Sequence, residues 1–139
     1  MFVRNPWDRL VSCYNYFLKN GRNTLEDQKT GKLVQKYKTF QEFSINLPEI
    51  INQLKSICPH FNQQVYWLEE GIDFIGRFEN IQQDFDTICD KIGISQKELP
   101  HKNKSEHKHY TEYYDEETKQ IVAEKYAKDI KYFGYKFGE

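Results

Sequence analysis

The sequence predicts an α/β chain that is mostly helical, with few parallel strands, and three observations carry that expectation. The chain opens with Met1, Phe2 and Val3, an apolar strand end that runs straight into a helix start at Asn5-Pro6. A second apolar run, Ile72-Asp-Phe-Ile-Gly-Arg-Phe-Glu79, also precedes a helical pattern, and its near-continuous apolar character suits a buried parallel strand. Elsewhere apolar residues recur at helical spacing.

The elements follow in order. Asn5 suits an N-cap, Pro6 the first helical position, and Asp8 the third, where a carboxylate meets the positive helix end. Trp7, Leu10, Val11, Tyr14, Phe17 and Leu18 form the apolar face of a helix from about Pro6 to Lys19. Residues 21–38 are polar, contain Gly21 and Gly31, and read as a long loop over a substrate entrance. Thr39-Phe-Gln-Glu42 is a capping box for a second helix, with Phe40, Phe43, Ile50, Ile51 and Leu54 inward and a break or kink at Pro48. Cys58-Pro59-His60 reads as a turn, and Gln64-Val-Tyr-Trp-Leu68 as a short strand. After the 72–79 strand, Ile81, Phe85, Ile88, Cys89 and Ile92 mark a helix that Gly93 stops. Residues 95–114 form a polar loop. Asp115 then caps a final helix with Ile121, Val122, Tyr126, Ile130 and Phe133 inward, ending at Gly134. So few strands among four helices do not make a full sheet. Residues 1–139 are therefore expected to be one partial domain of a larger α/β unit.

Composition narrows the function. The net charge of −1 argues against a general polyanion binder, and no nucleic-acid-binding motif occurs. Residues 1–40 nevertheless hold eight Lys and Arg against three Asp and Glu, a balance of +5 that favours an anionic ligand near the start. Aromatic residues make up 16% of the chain, enough to supply both burial and rings for stacking. Cys13, Cys58 and Cys89 are odd in number and form no Cys-x-x-Cys pair, which fits reduced thiols and a cytoplasmic setting. No signal peptide and no apolar run of about 18 residues is present.

Arg4 stands at the first strand–helix junction and Ser12 two turns into the helix. A guanidinium fork, a hydroxyl and free N–H groups at a helix start suit a phosphate. The competing reading of Arg4 is an ion pair with Asp8. Arg9 either touches phosphate or pairs with a carboxylate of the fold. Trp7 reads as core before it reads as an adenine platform. Arg77 and Glu79 alternate past Phe78 and read as a pair bracing the sheet or as ligand contacts at a strand end.

The stretch from Phe2 to Tyr14 resembles the 3′-phosphate-binding motif of sulfotransferases that use 3′-phosphoadenosine 5′-phosphosulfate (PAPS). Asp73–Asn80 followed by Asp84-Phe85 resembles the second block of the carbohydrate-type, family 2 enzymes. Pro100–Ser105, Tyr113-Tyr114 and Tyr126…Asp129…Phe133-Gly-Tyr135 resemble their C-terminal block. The likeness implies a P-loop NTPase-like sulfotransferase fold and PAPS as co-substrate, with no metal. It also implies a carbohydrate or other hydroxyl acceptor as partner. By this resemblance Arg4 and Ser12 hold the 3′-phosphate, and Lys104 or Ser105 faces the nucleotide from a late basic loop. His60 ahead of Gln64 resembles a family His-x-x-x-Gln element in which Gln63 replaces the usual Pro; His60 then contacts acceptor, acts as a base, or is structural. Asn103-Lys-Ser105 is also a glycosylation sequon. His101, His107 and His109 cluster without completing a zinc set, so no metal is expected.

The Gly-rich Lys-Ser/Thr loop that holds the 5′-phosphosulfate in such enzymes occurs nowhere in the sequence. Thr30-Gly31-Lys32 lacks both the second Gly and the following Ser or Thr. The expectation is a C-terminal portion of a sulfotransferase that does not turn over alone, with its catalytic base unassigned. The alternatives are a non-catalytic fragment that keeps a nucleotide site and, less in keeping with the later blocks, a different P-loop-like phosphotransferase.

Overall fold

The structure is a computed structural model that describes residues 1–100 and 108–139. It is mostly helical with a small parallel sheet. Strand β1 (Phe2–Val3) leads into α1 (Pro6–Leu18), followed by α2 (Leu25–Val34), α3 (Phe40–Ile45) and α4 (Leu47–Ile57). Two 3₁₀ turns, Pro59–Phe61 and Gln64–Trp67, lead to β2 (Gly76–Arg77), and a third spans Phe78–Asn80. Helix α5 (Ile81–Ile92), a 3₁₀ turn at Tyr110–Tyr113, α6 (Glu116–Lys125) and α7 (Ala127–Phe133) complete the order. β1 and β2 pair in parallel, Phe2 opposite Gly76 and Val3 opposite Arg77. Gly76 permits the close pairing: a Cβ there would lie 2.5 Å from the Phe2 ring.

The main core lies around α1. Val11, Phe43, Leu47, Leu54, Phe61 and Val122 are fully buried in it. The pattern read from the sequence accounts for α1: Asn5 caps it, Pro6 opens it, Asp8 sits in its first turn. Thr39 caps α3 through the Glu42 amide, and the Glu42 carboxylate reaches back to the Lys38 N–H, one residue earlier than the usual box. Pro48 falls in the first turn of α4, where its missing N–H is harmless. Gly93 ends α5 in the left-handed conformation, φ 74°.

Four expectations are corrected. Residues 25–34 are helix α2 rather than loop, capped by Thr24, whose hydroxyl accepts from the Asp27 N–H. Gly31 lets that helix approach α1, since a Cβ there would lie 3.0 Å from the Phe17 carbonyl oxygen. Thr30-Gly31-Lys32 therefore lies in helix α2, with Thr30 and Gly31 buried against its neighbours, not in a phosphate loop. Gln64–Trp67 is a 3₁₀ turn rather than a strand, because the Gln64 and Val65 amides donate to Asp129 rather than to a strand neighbour. The second strand shrinks to Gly76–Arg77, with Phe78 already turning. The last helix is two, broken at Tyr126, whose hydroxyl reaches across to the Phe61 carbonyl. Among the described residues no helix is long and apolar enough to cross a membrane.

Candidate phosphate site at the first strand–helix junction

Asn5 organises the junction. Fully buried, it accepts from the Trp7 N–H with its side-chain oxygen and donates its amide to the Lys136 carbonyl at 3.0 Å. Its backbone N–H donates to the Glu79 carboxylate at 2.6 Å. Asp could cap the helix equally well, but an ionised carboxylate could not also donate to the C-terminal segment as the Asn5 amide does.

Arg4 is held at its backbone by the Gln64 side chain. The Arg4 N–H donates to Gln64 Oε1 at 2.9 Å and the Gln64 amide donates to the Arg4 carbonyl at 2.8 Å, so a side chain mimics a strand partner. The guanidinium Nε lies 2.6 Å from Asp8 Oδ2, the ion pair weighed from the sequence, and the group rests 4.3 Å from the centre of the Phe78 ring. Its two Nη groups have no hydrogen-bond partner among the described residues. Ser12 lies one turn beyond Asp8 on the same face of α1, half-buried, its hydroxyl likewise unpartnered among those residues. The face thus carries a guanidinium fork, a carboxylate that orients it, and a hydroxyl. In donor chemistry the fork and hydroxyl fit the oxygens of a phosphate.

Arg9 is taken up by the fold. Its Nη1 donates to the Asn62 carbonyl at 2.8 Å, its Nη2 to the His60 carbonyl at 2.7 Å, and it stands 3.8 Å from Asp129 Oδ2. Of the two readings open for Arg9, the structure shows the carboxylate partner. The His60 ring is exposed; what the fold uses is its carbonyl. Trp7 is core: its ring packs edge-on against Phe137 and its indole N–H donates to the Lys119 carbonyl. Arg77 and Glu79 both brace. Arg77 donates to the Phe133 carbonyl at 2.6 Å, and Glu79 accepts from Asn5 and from the Tyr135 hydroxyl. Burial, with Glu79 adding to it, pushes the Tyr135 hydroxyl pKa up, which keeps that donor protonated.

Two residues that matter here carry no site assignment in the sequence reading. Asp129, fully buried, accepts from the Gln64 and Val65 amides at 2.8 and 2.9 Å. With Gln64 it forms a continuous polar bridge from the Arg4 backbone to the Arg9 guanidinium. A lone carboxylate beside the apolar face of the last helix was the available signal for Asp129. For Gln64 it was the spacing from His60.

Lys104 and Ser105, together with His101 and His107, lie outside the described residues. His109 is exposed, with Nδ1 2.7 Å from the Thr111 hydroxyl. Among the described residues no group of His, Cys, Asp and Glu is placed to hold a metal. Burial pushes the Cys13 thiol up to about 11, against the pull of Arg9, so it stays a thiol at neutral pH and is a poor nucleophile.

An uncharacterized protein of Archaeoglobus fulgidus is 30% identical over 94 residues, which is 67% of this chain and 65% of the archaeal one. The chain thus matches just under two thirds of that relative's length. No solved structure matches the chain. The profile of the Sulfotransferase family matches residues 1–136, and the chain belongs to that family.

Proposed function

We propose that this chain supplies the 3′-phosphate subsite of a PAPS-dependent sulfotransferase on a P-loop NTPase-like fold, acting on a hydroxyl of a carbohydrate acceptor. The observation that supports this most is the Arg4–Asp8–Ser12 face. Asp8 takes Arg4 Nε, which leaves the fork's outer edge and the Ser12 hydroxyl for an anion. The Gln64 clamp fixes the Arg4 backbone, so the fork is aimed by the fold rather than by a loop. PAPS brings the activated sulfuryl group; this chain's residues bind and orient its adenosine end. Within this reading Lys104 and Ser105 add contacts to the nucleotide, His60 faces the acceptor, and Arg9 acts through the frame beneath the site.

A second reading, in which these 139 residues by themselves bind the nucleotide without turnover, is favoured by one observation: they hold no Gly-rich Lys-Ser/Thr loop for the 5′-phosphosulfate. The two are separated by measuring both binding and transfer. Adenosine 3′,5′-bisphosphate should bind the purified chain, and adenosine 5′-monophosphate should not. Arg4→Ala should weaken binding by about tenfold or more, the loss of charge-assisted bonds of about 1.5–3 kcal/mol, and Ser12→Ala by less. Equal binding of the two nucleotides, or indifference to Arg4→Ala, overturns the site. Sulfate transfer from PAPS by the 139-residue chain, abolished by Arg4→Ala, would overturn the non-catalytic reading.

A further inference from the structure

Phe78 stands beside the candidate phosphate site for a reason other than burial. It is a large ring that remains 44% exposed, and it belongs to neither apolar cluster among the described residues. Its contact is with a charge instead. The Arg4 guanidinium carbon lies 4.3 Å from the ring centre, the shortest cation–ring contact among those residues. The fold fixes that approach through the neighbours of both groups. Gln64 clamps the Arg4 backbone, and the next residue, Asn5, gives its N–H to Glu79, the residue after Phe78. On the other side of Phe78, the Arg77 N–H donates to the Asp84 carboxylate and the Arg77 guanidinium to the Phe133 carbonyl. Ring and guanidinium are thus brought together by bonds on either side of them.

A planar cation held at one point can still turn. Asp8 supplies that one point: its Oδ2 accepts from Arg4 Nε at 2.6 Å, and no second bond joins the two groups. An Arg and a carboxylate commonly pair through two parallel bonds instead. That arrangement would place an Nη group on the second Asp8 oxygen and take away a donor that a phosphate needs. The Phe78 ring beneath the guanidinium restricts its rotation about the Nε contact and so opposes the second bond. The contact is sheltered, with the Arg4 and Asp8 side chains 21% and 17% exposed, and partial loss of water strengthens the attraction between cation and ring.

We infer that Phe78 is a positioning residue for anion binding: it holds the Arg4 guanidinium in the singly bonded arrangement that leaves both Nη groups for the 3′-phosphate. The inference rests on the phosphate-site reading and adds to it the residue that keeps the site open. Phe78 acts through Arg4, not by touching the nucleotide.

The test is calorimetry of adenosine 3′,5′-bisphosphate binding to the intact chain and its variants, with NMR of the Arg4 side chain in the nucleotide-free protein. Phe78→Leu keeps an apolar side chain but removes the π face, and should weaken binding about threefold to tenfold. Phe78→Tyr restores the ring and should bind within about twofold of the parent. Both change an exposed side chain and should keep the parent circular dichroism spectrum. In the Arg4→Ala background Phe78→Leu should cost nothing further, because the ring acts through the missing guanidinium. Without nucleotide, the Arg4 side-chain resonances should lose their ring-current shift in Phe78→Leu and keep it in Phe78→Tyr. Binding that Arg4→Ala weakens but Phe78→Leu leaves unchanged overturns this inference alone. So does a further loss from Phe78→Leu in the Arg4→Ala background, which would mean direct contact between ring and nucleotide, or an absent ring-current shift. Binding indifferent to Arg4→Ala overturns the phosphate-site reading, and this inference with it.

Discussion

The two sides of this molecule answer the same sequence pattern in opposite ways. Helix α1 carries an apolar stripe and buries all of it but its last member: Trp7, Leu10, Val11, Tyr14 and Phe17 lie in the main core, while Leu18 at the helix end is exposed. Helix α5 carries an equally regular stripe, Ile81, Phe85, Ile88, Cys89 and Ile92, yet only Cys89 is buried and Ile92 is 63% exposed. The difference lies in what each helix is given to pack on. Around α1 stand α2, α6 and the Pro59–Phe61 and Tyr110–Tyr113 turns. Beside α5 stands a sheet of two strands, each two residues long, and Phe2 and Phe78 next to it remain partly open. Amphipathic periodicity states which face wants burial; only the neighbouring layer decides whether burial occurs.

The largest effect should come from opening the helical side. Phe61 is fully buried and stacks on Phe17 with ring centres 5.7 Å apart. Phe61→Ala should cost about 3–5 kcal/mol of unfolding free energy, read from a urea titration. A loss below about 1 kcal/mol would mean that this core is looser than its packing shows.

Next is the polar bridge beneath the phosphate face. Asp129→Asn keeps the shape but removes the charge opposite Arg9, and one amide oxygen cannot replace both carboxylate oxygens for Gln64 and Val65. A loss of about 3 kcal/mol is expected. Gln64→Ala strips the partners from the Arg4 N–H and carbonyl and should cost about 2 kcal/mol. Because it also frees the Arg4 backbone, it should weaken adenosine 3′,5′-bisphosphate binding although it removes no phosphate contact. Unchanged binding would show that the fork needs no clamp.

These two residues also mark where the sequence stopped being legible. The start of α1 could be read because its signals are local: Asn5, Pro6 and Asp8 lie within one turn. Arg4 and Ser12 could be singled out because they place a guanidinium and a hydroxyl at a strand–helix junction and because they resemble the family's 3′-phosphate motif. The Gln64–Asp129 contact joins residues 65 apart, and nothing near either one announces it. It also explains the strand mistaken at 64–68. Val65, Tyr66 and Trp67 favour strands by composition, but a distant carboxylate captured the amides. Helix α2 was missed for the opposite reason. Its buried residues Thr30, Gly31, Leu33 and Val34 sit in its last turns and include only two strongly apolar side chains. Its stability comes from the close approach to α1 that Gly31 allows.

The pH response should follow the helical side as well. Burial holds the Cys13 thiol to about 11 against an ordinary value of 9.0, and raises the Tyr114 hydroxyl too. Above the ordinary thiol value the unfolded chain releases a proton that the folded chain keeps. Folded protein then binds more protons, and stability falls as pH rises from about 9 towards about 11. Urea midpoints at about pH 8 and about pH 10.5 should show the decline, and Cys13→Ala should shallow it. A flat profile would place the thiol in contact with water in both states.

The smallest effect should come from α5, and it is the one that sharpens the comparison most. Ile92 belongs to the stripe by sequence but to the solvent by structure. Ile92→Ser should therefore change stability by no more than about 0.5 kcal/mol, the range of ordinary surface positions. Cys89, three residues earlier and buried, gives the internal control: Cys89→Ser places a hydroxyl where the sulfur is nearly inaccessible and should cost more than Ile92→Ser. If instead Ile92→Ser proved the costlier of the two, the α5 stripe would be covered in solution by protein that this chain does not itself provide, such as a second copy. The apparent midpoint would then rise with protein concentration, which a monomer's would not.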